Sequence, residues 1–228
     1  MMRWLVPALL ALSAGACTSG GESAFERMRP QVEALVLGSE AEAPPAPPKI
    51  TRAQLNEIPF ATISVQTGEL PKAFVVAVAD NNGLVLYKGQ GRRAIVFDGA
   101  LLVATKGLSY DLSAVKHQLD DPVVSPRPIG QWPAHVTRAY QFSLQSREDY
   151  EITLRCTAQT PVPERIEIVE LSFNVVRVDE ICANGTRRFT NTYWVDPENG
   201  FIWKSRQWVG PNHQPYVIET VRPYARQT

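Results

Sequence analysis

A hairpin at residues 189–209 constrains the fold more than any other part of the chain. Its aromatic and β-branched halves flank Asp-Pro-Glu-Asn-Gly at 196–200, where proline presets a type I turn and Asn-Gly supplies a left-handed residue. Alternation along a strand predicts one face with Trp203, Ser205 and Gln207, and an opposite face with Ile202, Lys204, Arg206 and Trp208. The pattern therefore predicts an antiparallel sheet with aromatic side chains on both faces.

A period of two continues through most of the chain after residue 60. Besides the hairpin, the predicted strands are 61–66, 73–79, 84–88, 95–97, 100–105, 136–144, 150–156, 165–174, 175–182 and 216–221. Turn sequences at 80–83 and at Asp98-Gly99 predict hairpins, and a change of phase after Ile168 predicts a β-bulge. The predicted fold class is therefore mainly β: an antiparallel β-barrel or β-sandwich meander with one or two short N-terminal helices.

Two stretches of the chain lack strand patterning. Residues 106–133 contain four prolines and predict an irregular crossing segment, in which Asp120 and Asp121 are interpreted as a solvated turn. Gly89-Gln90-Gly91 lacks the lysine and the spacing of a phosphate loop and is interpreted as a turn.

The N-terminal region predicts two short helices. A capping box at 23–26 precedes apolar residues at helical spacing, although Pro30 must kink or begin that helix; packing against the sheet is favoured over binding a partner. Residues 40–48 form a polyproline-like tether. Thr51 and Gln54 form a second capping box, Ile50 and Leu55 are placed as a hydrophobic staple, and the helix ends before Pro59.

Residues 1–16 have the organisation of a signal peptide, with Arg3, an apolar run and small residues immediately before Cys17. Cleavage before Cys17 favours lipidation of that cysteine, with ordinary signal peptidase cleavage as the alternative. Several fatty chains on Cys17 would anchor the protein to a membrane. The predicted organisation is a signal peptide at 1–16, a lipidated N-terminus with a short helix and the tether at 17–49, and one β domain at 50–228.

With Cys17 lipidated, Cys156 and Cys182 remain as a pair in an oxidising compartment. They are predicted to form a disulfide, and two buried thiols are the alternative.

Charge and motifs exclude several classes of function. The 23 basic and 23 acidic residues cancel and form no long run of one sign, which argues against a nucleic-acid-binding surface. The three histidines are scattered, so no metal site, cofactor site or catalytic nucleophile is predicted.

The hairpin also carries a family resemblance. Thr-Tyr-Trp-Val-Asp at 192–196 and Gly-Phe-Ile-Trp-Lys-Ser-Arg-Gln-Trp-Val at 200–209 resemble the C-terminal signature of the YjbF family of bacterial lipoproteins, which includes the group 4 capsule lipoprotein GfcB. The likeness extends to Ile-Thr-Arg-Ala-Gln-Leu at 50–55 and Ile-Glu-Thr-Val-Arg-Pro at 218–223. The resemblance implies an outer-membrane lipoprotein, with its β domain facing the periplasm, that serves an extracellular polysaccharide; no catalytic residue is carried over.

Two interpretations of the hairpin aromatics stay open. A sugar-stacking platform would consist of Tyr193, Trp194, Trp203, Arg206 and Trp208, because flat apolar rings beside a hydrogen-bonding group suit pyranose faces. The alternative is that these residues belong to the core, with Arg206 packed over an indole as a cation–π pair.

Two hypotheses for function follow. The first is a non-enzymatic lipoprotein that assists production or export of a polysaccharide by binding glycan or by scaffolding outer-membrane export proteins. The second is a periplasmic glycan-modifying enzyme whose paired carboxylates are brought together by the barrel.

Overall fold

The computed structural model describes residues 50–89, 93–108, 110–144, 147–211 and 213–225. Lys49–Thr228 forms one compact unit. The predictions for the leader, Cys17, the first helix and the tether, and most of the predicted turn at 89–91, lie outside the described residues. No helix in the described ranges is long and apolar enough to cross a membrane.

A short helix, α1 (Arg52–Asn56), precedes the sheet and has the predicted capping box. The Thr51 hydroxyl accepts the Gln54 N–H, and the Gln54 side chain accepts the Thr51 N–H at 2.9 Å. Leu55 is buried, and Ile50 packs against the same apolar cluster. The predicted helix and its staple are therefore confirmed.

Thirteen strands make up the described part of the domain. They are β1 (Thr62–Thr67), β2 (Ala73–Asn81), β3 (Leu84–Lys88), β4 (Ala94–Asp98), β5 (Leu101–Lys106), β6 (Tyr110–Lys116), β7 (Val136–Leu144), β8 (Arg147–Ala158), β9 (Val162–Ile168), β10 (Leu171–Ala183), β11 (Arg188–Val195), β12 (Ile202–Gln207) and β13 (Tyr216–Arg222). A 3-10 helix at Ile129–Gln131 lies between β6 and β7.

The strands form one antiparallel, nearly closed barrel, which confirms the predicted fold class. The sheet order is β5-β4-β3-β2-β1-β13-β12-β11-β10-β8-β7-β6, and β9 leaves this path to pair with β10. Residues 180–183 of β10 pair with β8 inside the barrel, whereas residues 171–177 pair with β9. The β9–β10 hairpin therefore extends out of the barrel.

Side chains join the edge strands β5 and β6 where no ladder runs between them. The Thr105 hydroxyl donates to the Asp111 carboxylate at 3.0 Å and accepts the Leu112 N–H at 2.9 Å. The Asp111 carboxylate also accepts the N–H groups of Gly107 and Leu108 in the connecting turn. We refer to this junction of β5 and β6 as the seam. Its side chains supply hydrogen-bond partners that a ladder would otherwise supply to the backbone.

A glutamine inside the barrel completes the closure. Gln207 of β12 accepts the Leu102 N–H at 3.0 Å and donates to the Ala100 carbonyl at 2.8 Å. This side chain, which is 2% exposed, links β12 to the start of β5 across the interior.

Two sequence-based predictions fail in the connections. Strand β6 lies inside the segment predicted to be irregular, because the prolines of that segment all follow it. In place of the bulge predicted after Ile168, Val169 and Glu170 form a tight turn with φ values of 42° and 67°. Neither residue is a usual left-handed turn residue, so the sequence carried no turn signal there.

Apolar side chains form two clusters on opposite sides of the sheet. The larger fills the barrel interior and includes Phe97, Leu112, Tyr140, Phe142 and Val178. The smaller lies outside the barrel, where the β9–β10 hairpin and α1 cover it, and includes Leu55, Ile166, Ile168, Val175 and Val221. We refer to this second group as the outer cluster.

Candidate functional site

The predicted turn at 196–200 fits tightly against the loop that follows β6. Asp196 accepts the N–H groups of Glu198 and Asn199, and Gly200 has a φ of 78°. A Cβ at Gly200 would lie 2.1 Å from the Arg127 carbonyl oxygen. Glycine is thus required both by the left-handed conformation and by the close approach of a second backbone.

A bulge in the β11–β12 pair changes the predicted faces of the first two residues of β12. Trp194 pairs with Lys204 and Val195 pairs with Ile202, which leaves Trp203 as the extra residue. Ile202 therefore points into the barrel interior, whereas Trp203 belongs to the outer cluster. Uniform alternation placed Ile202 and Trp203 on each other's faces because the sequence gives no sign of the extra residue. The predicted pairs Ser205 with Gln207 and Lys204 with Arg206 hold. Trp208, predicted on the face of Lys204 and Arg206, lies in the barrel interior.

The structure separates the five predicted platform residues. Tyr193 and Trp208 are buried in the barrel interior, Trp194 and Trp203 are half-buried in the outer cluster, and Arg206 is exposed. Trp208 stacks on Phe189 with ring centroids 4.2 Å apart and contacts Tyr140 and Phe142 edge-on. A single stacking surface made of all five residues is therefore excluded, because two of them cannot reach a ligand.

The two outer tryptophans are held by neighbouring strands. Trp203 stacks on Phe173 of the β9–β10 hairpin at 4.0 Å and meets Phe201 edge-on at 4.7 Å. Lys204 Nζ lies 5.0 Å from the Trp194 ring centroid. The cation over this indole is thus Lys204, where the sequence suggested Arg206.

A buried ionic network crosses the barrel interior. Arg138 of β7 binds Asp121 through two hydrogen bonds of 2.6 and 2.9 Å, and Glu180 of β10 through one of 2.6 Å. The Tyr193 hydroxyl and the Asn191 amide each donate to Glu180 at 3.3 Å. Arg138 and Asp121 are fully buried, so the interpretation of Asp121 as a solvated turn residue is wrong.

Burial and charge change the proton affinities in this network. Burial by itself lowers the pKa of Arg138, but Glu180, with Tyr193 and Asp121, outweighs it, and the pKa is raised well above its ordinary value. Burial, followed by the nearby Glu180 carboxylate, raises the pKa of Tyr193 well above its usual range. Burial also raises the pKa of Tyr140, against the opposing effect of Arg138. The guanidinium and both phenols therefore keep their protons at neutral pH.

A disulfide between Cys156 and Cys182 lies beside this network. The two cysteines are directly opposite each other on β8 and β10, with Cα atoms 3.9 Å apart. Their sulfur atoms and a Glu180 carboxylate oxygen lie within 4.8 Å of one another. Because both sulfurs are used in the disulfide, this group supplies no thiolate for catalysis or for metal binding.

Sequence reasoning missed Arg138 and Glu180, although a signal existed. Arg138 is in phase with Val136, Tyr140 and Phe142 on β7. Glu180 is likewise in phase with Val178 and Cys182 on β10. A charged residue within a buried apolar row on each of two strands indicates an internal ion pair.

Known proteins resemble this chain in sequence and in fold. The crystal structure of the hypothetical lipoprotein YmcC from Escherichia coli (K12) superposes with a TM-score of 0.68 and 19% identity, covering 91% of this chain and 100% of that one. At this identity the likeness concerns the fold. No curated protein matches the sequence. The family model described as "Group 4 capsule polysaccharide lipoprotein gfcB, YjbF" matches residues 25–221. Because the match spans most of the chain, the protein belongs to the YjbF family of group 4 capsule polysaccharide lipoproteins.

Proposed function

We propose that this protein is a non-enzymatic outer-membrane lipoprotein that assists production or export of an extracellular polysaccharide. The observation that carries the proposal is the family match over residues 25–221. A leader at residues 1–16, immediately before Cys17, supports lipid anchoring. Thr18, in place of an aspartate after Cys17, supports export to the outer membrane by resemblance to other lipoproteins, and the same resemblance favours a β domain that faces the periplasm.

The buried network supports a structural role for the carboxylates that the barrel brings together. Asp121 and Glu180 both bind Arg138, and they are 0% and 3% exposed. A glycan cannot approach them while the barrel is closed, and a pair of catalytic carboxylates must flank the scissile bond. The described interior therefore gives the alternative of a glycan-modifying enzyme no observation in its favour.

The cellular test is deletion of the gene followed by measurement of surface polysaccharide. We expect less polymer or altered polymer, restored by the wild-type gene. Cys17→Ala should release the protein from the membrane fraction, and mass spectrometry of the wild type should find an acylated N-terminal Cys17. Normal polymer in the deletion strain would refute the proposal.

A second test separates assistance from catalysis. Incubation of the purified protein with the polymer should leave its chain length and its composition unchanged, and hydrolysis or transfer would establish an enzyme. Co-purification with the outer-membrane export protein would support scaffolding, whereas retention on immobilised polymer would support glycan binding.

A further inference from the structure

A shallow groove runs along the outer face of β10, between β8 and β11. It is an open depression of about 300 Å³, lined by Arg155, Thr157, Gln159, Ile181, Ala183 and Arg188. The floor is the outward row of β10, where Ile181 and Ala183 alternate with the buried Glu180 and Cys182.

Two arginines face each other across this floor. Ala183 pairs with Arg155 on one side and with Arg188 on the other, so the three residues form one cross-strand row. Adjacent strands are about 4.8 Å apart, which places the arginine Cα atoms about 10 Å from each other. Side chains of this length can therefore both reach an anion held over Ala183.

The charge of the groove contrasts with the balance of the whole chain. None of the described residues that line it is acidic, and both arginines are exposed. Arg155 Nη2 donates to His135 Nδ1 at 2.9 Å; the acceptor is an imidazole nitrogen that orients the guanidinium without neutralising it. Asp179, one step along the same face of β10, accepts from Thr192 at 2.8 Å and pairs with Arg177 at 3.6 Å.

The other lining groups suit a sugar better than a bare anion. Thr157 follows Arg155 along the outward row of β8, and Gln159 comes directly after the strand. They offer a hydroxyl group and an amide group whose nitrogen donates to the Thr157 carbonyl at 3.1 Å. Ile181 and Ala183 offer an apolar floor for the C–H face of a pyranose ring. Guanidinium groups bind carboxylates through paired hydrogen bonds, which fits a sugar acid.

We infer that this groove binds an acidic saccharide, with Arg155 and Arg188 holding a uronate carboxylate and β10 supporting the sugar ring. The inference rests on the proposed function, because it assigns the contact that a polysaccharide-assisting protein would make with its polymer. The inferred glycan site thus lies at the Arg188 end of β11, whereas the predicted platform included Tyr193 and Trp194 near its other end.

Calorimetric titration of the full chain, purified in a neutral detergent at low ionic strength, tests the assignment. A galacturonic acid oligomer should bind, and a glucose oligomer of equal length should bind at least about tenfold more weakly. Arg155→Gln and Arg188→Gln should each weaken uronate binding about tenfold or more, as expected for losing a charge-assisted hydrogen bond. Ala183→Leu should also weaken binding, because it fills the floor without changing charge.

Arg165→Gln is the matched control, since Arg165 is an exposed residue of β9 outside the groove. This variant should bind within about twofold of the wild type. Circular dichroism and thermal unfolding of each variant verify folding. Equal binding of both oligomers, unchanged binding in the arginine variants, or binding of inorganic phosphate as tight as that of the uronate would overturn the assignment.

Complementation distinguishes failure of this inference from failure of the proposed function. The double variant Arg155→Gln/Arg188→Gln should not restore polymer to a deletion strain, whereas Arg165→Gln should. Full restoration by the double variant would refute the groove and leave the proposed function standing. Normal polymer in the deletion strain itself would refute the proposed function, and the titrations would then decide the groove alone.

Discussion

At the scale of single residues, Arg138 is the cation that both buried carboxylates of the network bind. One guanidinium serves two carboxylates in a region that water does not reach. Removing one partner of a buried ion pair is costly because the remaining charges lose their compensation. The network therefore makes the core dependent on one side chain.

We expect Arg138→Met to lower the free energy of unfolding by about 3–5 kcal/mol, since Asp121 and Glu180 would be left buried without their cation. Urea unfolding followed by tryptophan fluorescence measures this. Arg165→Met on the surface of β9 is the control and should change the value by less than about 0.5 kcal/mol. A loss below about 1 kcal/mol for Arg138→Met would show that the network contributes little.

The buried phenols predict a loss of stability in alkali. The pKa of Tyr193 is raised above its ordinary value of 10.0 in the folded protein, and burial raises that of Tyr87 to about 12. Between the unfolded and the folded pKa, the unfolded chain has released a proton that the folded chain keeps. The stabilising contribution is thus complete below about pH 10, and the free energy of unfolding falls as pH rises above it.

Each such tyrosine should lower the free energy of unfolding by about 1.4 kcal/mol per pH unit above about pH 10. Urea unfolding at several alkaline pH values measures the slope. Tyr193→Phe also removes the hydrogen bond to Glu180 and so changes stability at every pH. Its slope above about pH 10 should be shallower than that of the wild type, while below about pH 9 the difference in stability between the two proteins should not change with pH. An unchanged slope in Tyr193→Phe would contradict the assignment.

At the scale of elements, turns and loops hold the barrel end together. The loop after β6 meets two hairpin turns: Ala100 N–H donates to Val123, and Ile129 N–H donates to Pro197. Gly99 and Gly200 both have positive φ and both touch this loop's backbone. The loop after β6 can pack closely against both turns because neither glycine has a side chain at the point of contact.

Gly200→Ala should destabilise the protein by more than about 2 kcal/mol, because the left-handed conformation and the clash with Arg127 both penalise a Cβ. Thermal or urea unfolding measures the cost. Gly130→Ala is the matched control, since a Cβ there has nothing within 4 Å. Equal stability of the two variants would show that the loop can move away at little cost.

The disulfide joins β8 to β10 where the β9–β10 hairpin departs from the barrel. The double variant Cys156→Ala/Cys182→Ala should lose about 3.5 kcal/mol, the chain-entropy value for a separation of 26 residues. Urea unfolding of the oxidised wild type and of the variant measures the difference. Reductant should destabilise the wild type and leave the variant unchanged, and equal sensitivity of both proteins would contradict this account.

Sequence predicted the strands better than it predicted their faces. Leu84–Lys88 has its predicted bounds, and the capping box at Thr51 holds, because each depends on neighbouring residues alone. The faces of Trp203 and Ile202 could not be predicted, since the bulge depends on register with β11. The groove on β10 could not be predicted from the sequence either, because Arg155 and Arg188 become neighbours only through strand pairing.

Closure of the barrel is the property that belongs to the whole molecule. At the seam between β5 and β6, a few side chains take the place of a ladder, and Gln207 holds β5 from within. An unsatisfied buried backbone group costs about 1–3 kcal/mol. The seam is therefore where the barrel should open first.

Gln207→Leu should leave the Leu102 N–H and the Ala100 carbonyl without this partner and should destabilise the protein by about 2 kcal/mol or more. Hydrogen exchange measured by NMR should be faster at the Leu102 amide than in the wild type. Exchange at Tyr193, in the middle of β11, should change only by the amount expected from global unfolding. Uniform acceleration throughout the barrel would argue against a local seam.

The pairing of Thr62 with Arg222 makes β1 and β13 antiparallel neighbours. Because β5 and β6 meet at the seam, the strands other than β9 follow their chain order around the barrel. The polypeptide could therefore begin at another connection without changing any strand's neighbours. A circular permutant that joins residue 225 to residue 50 through a short linker and begins at residue 185, in the β10–β11 turn, should fold to the same barrel. A lipidated cysteine engineered before residue 185 would attach such a permutant to a membrane beside the arginine groove. The distance between the groove and the membrane would then be a variable that the experimenter sets.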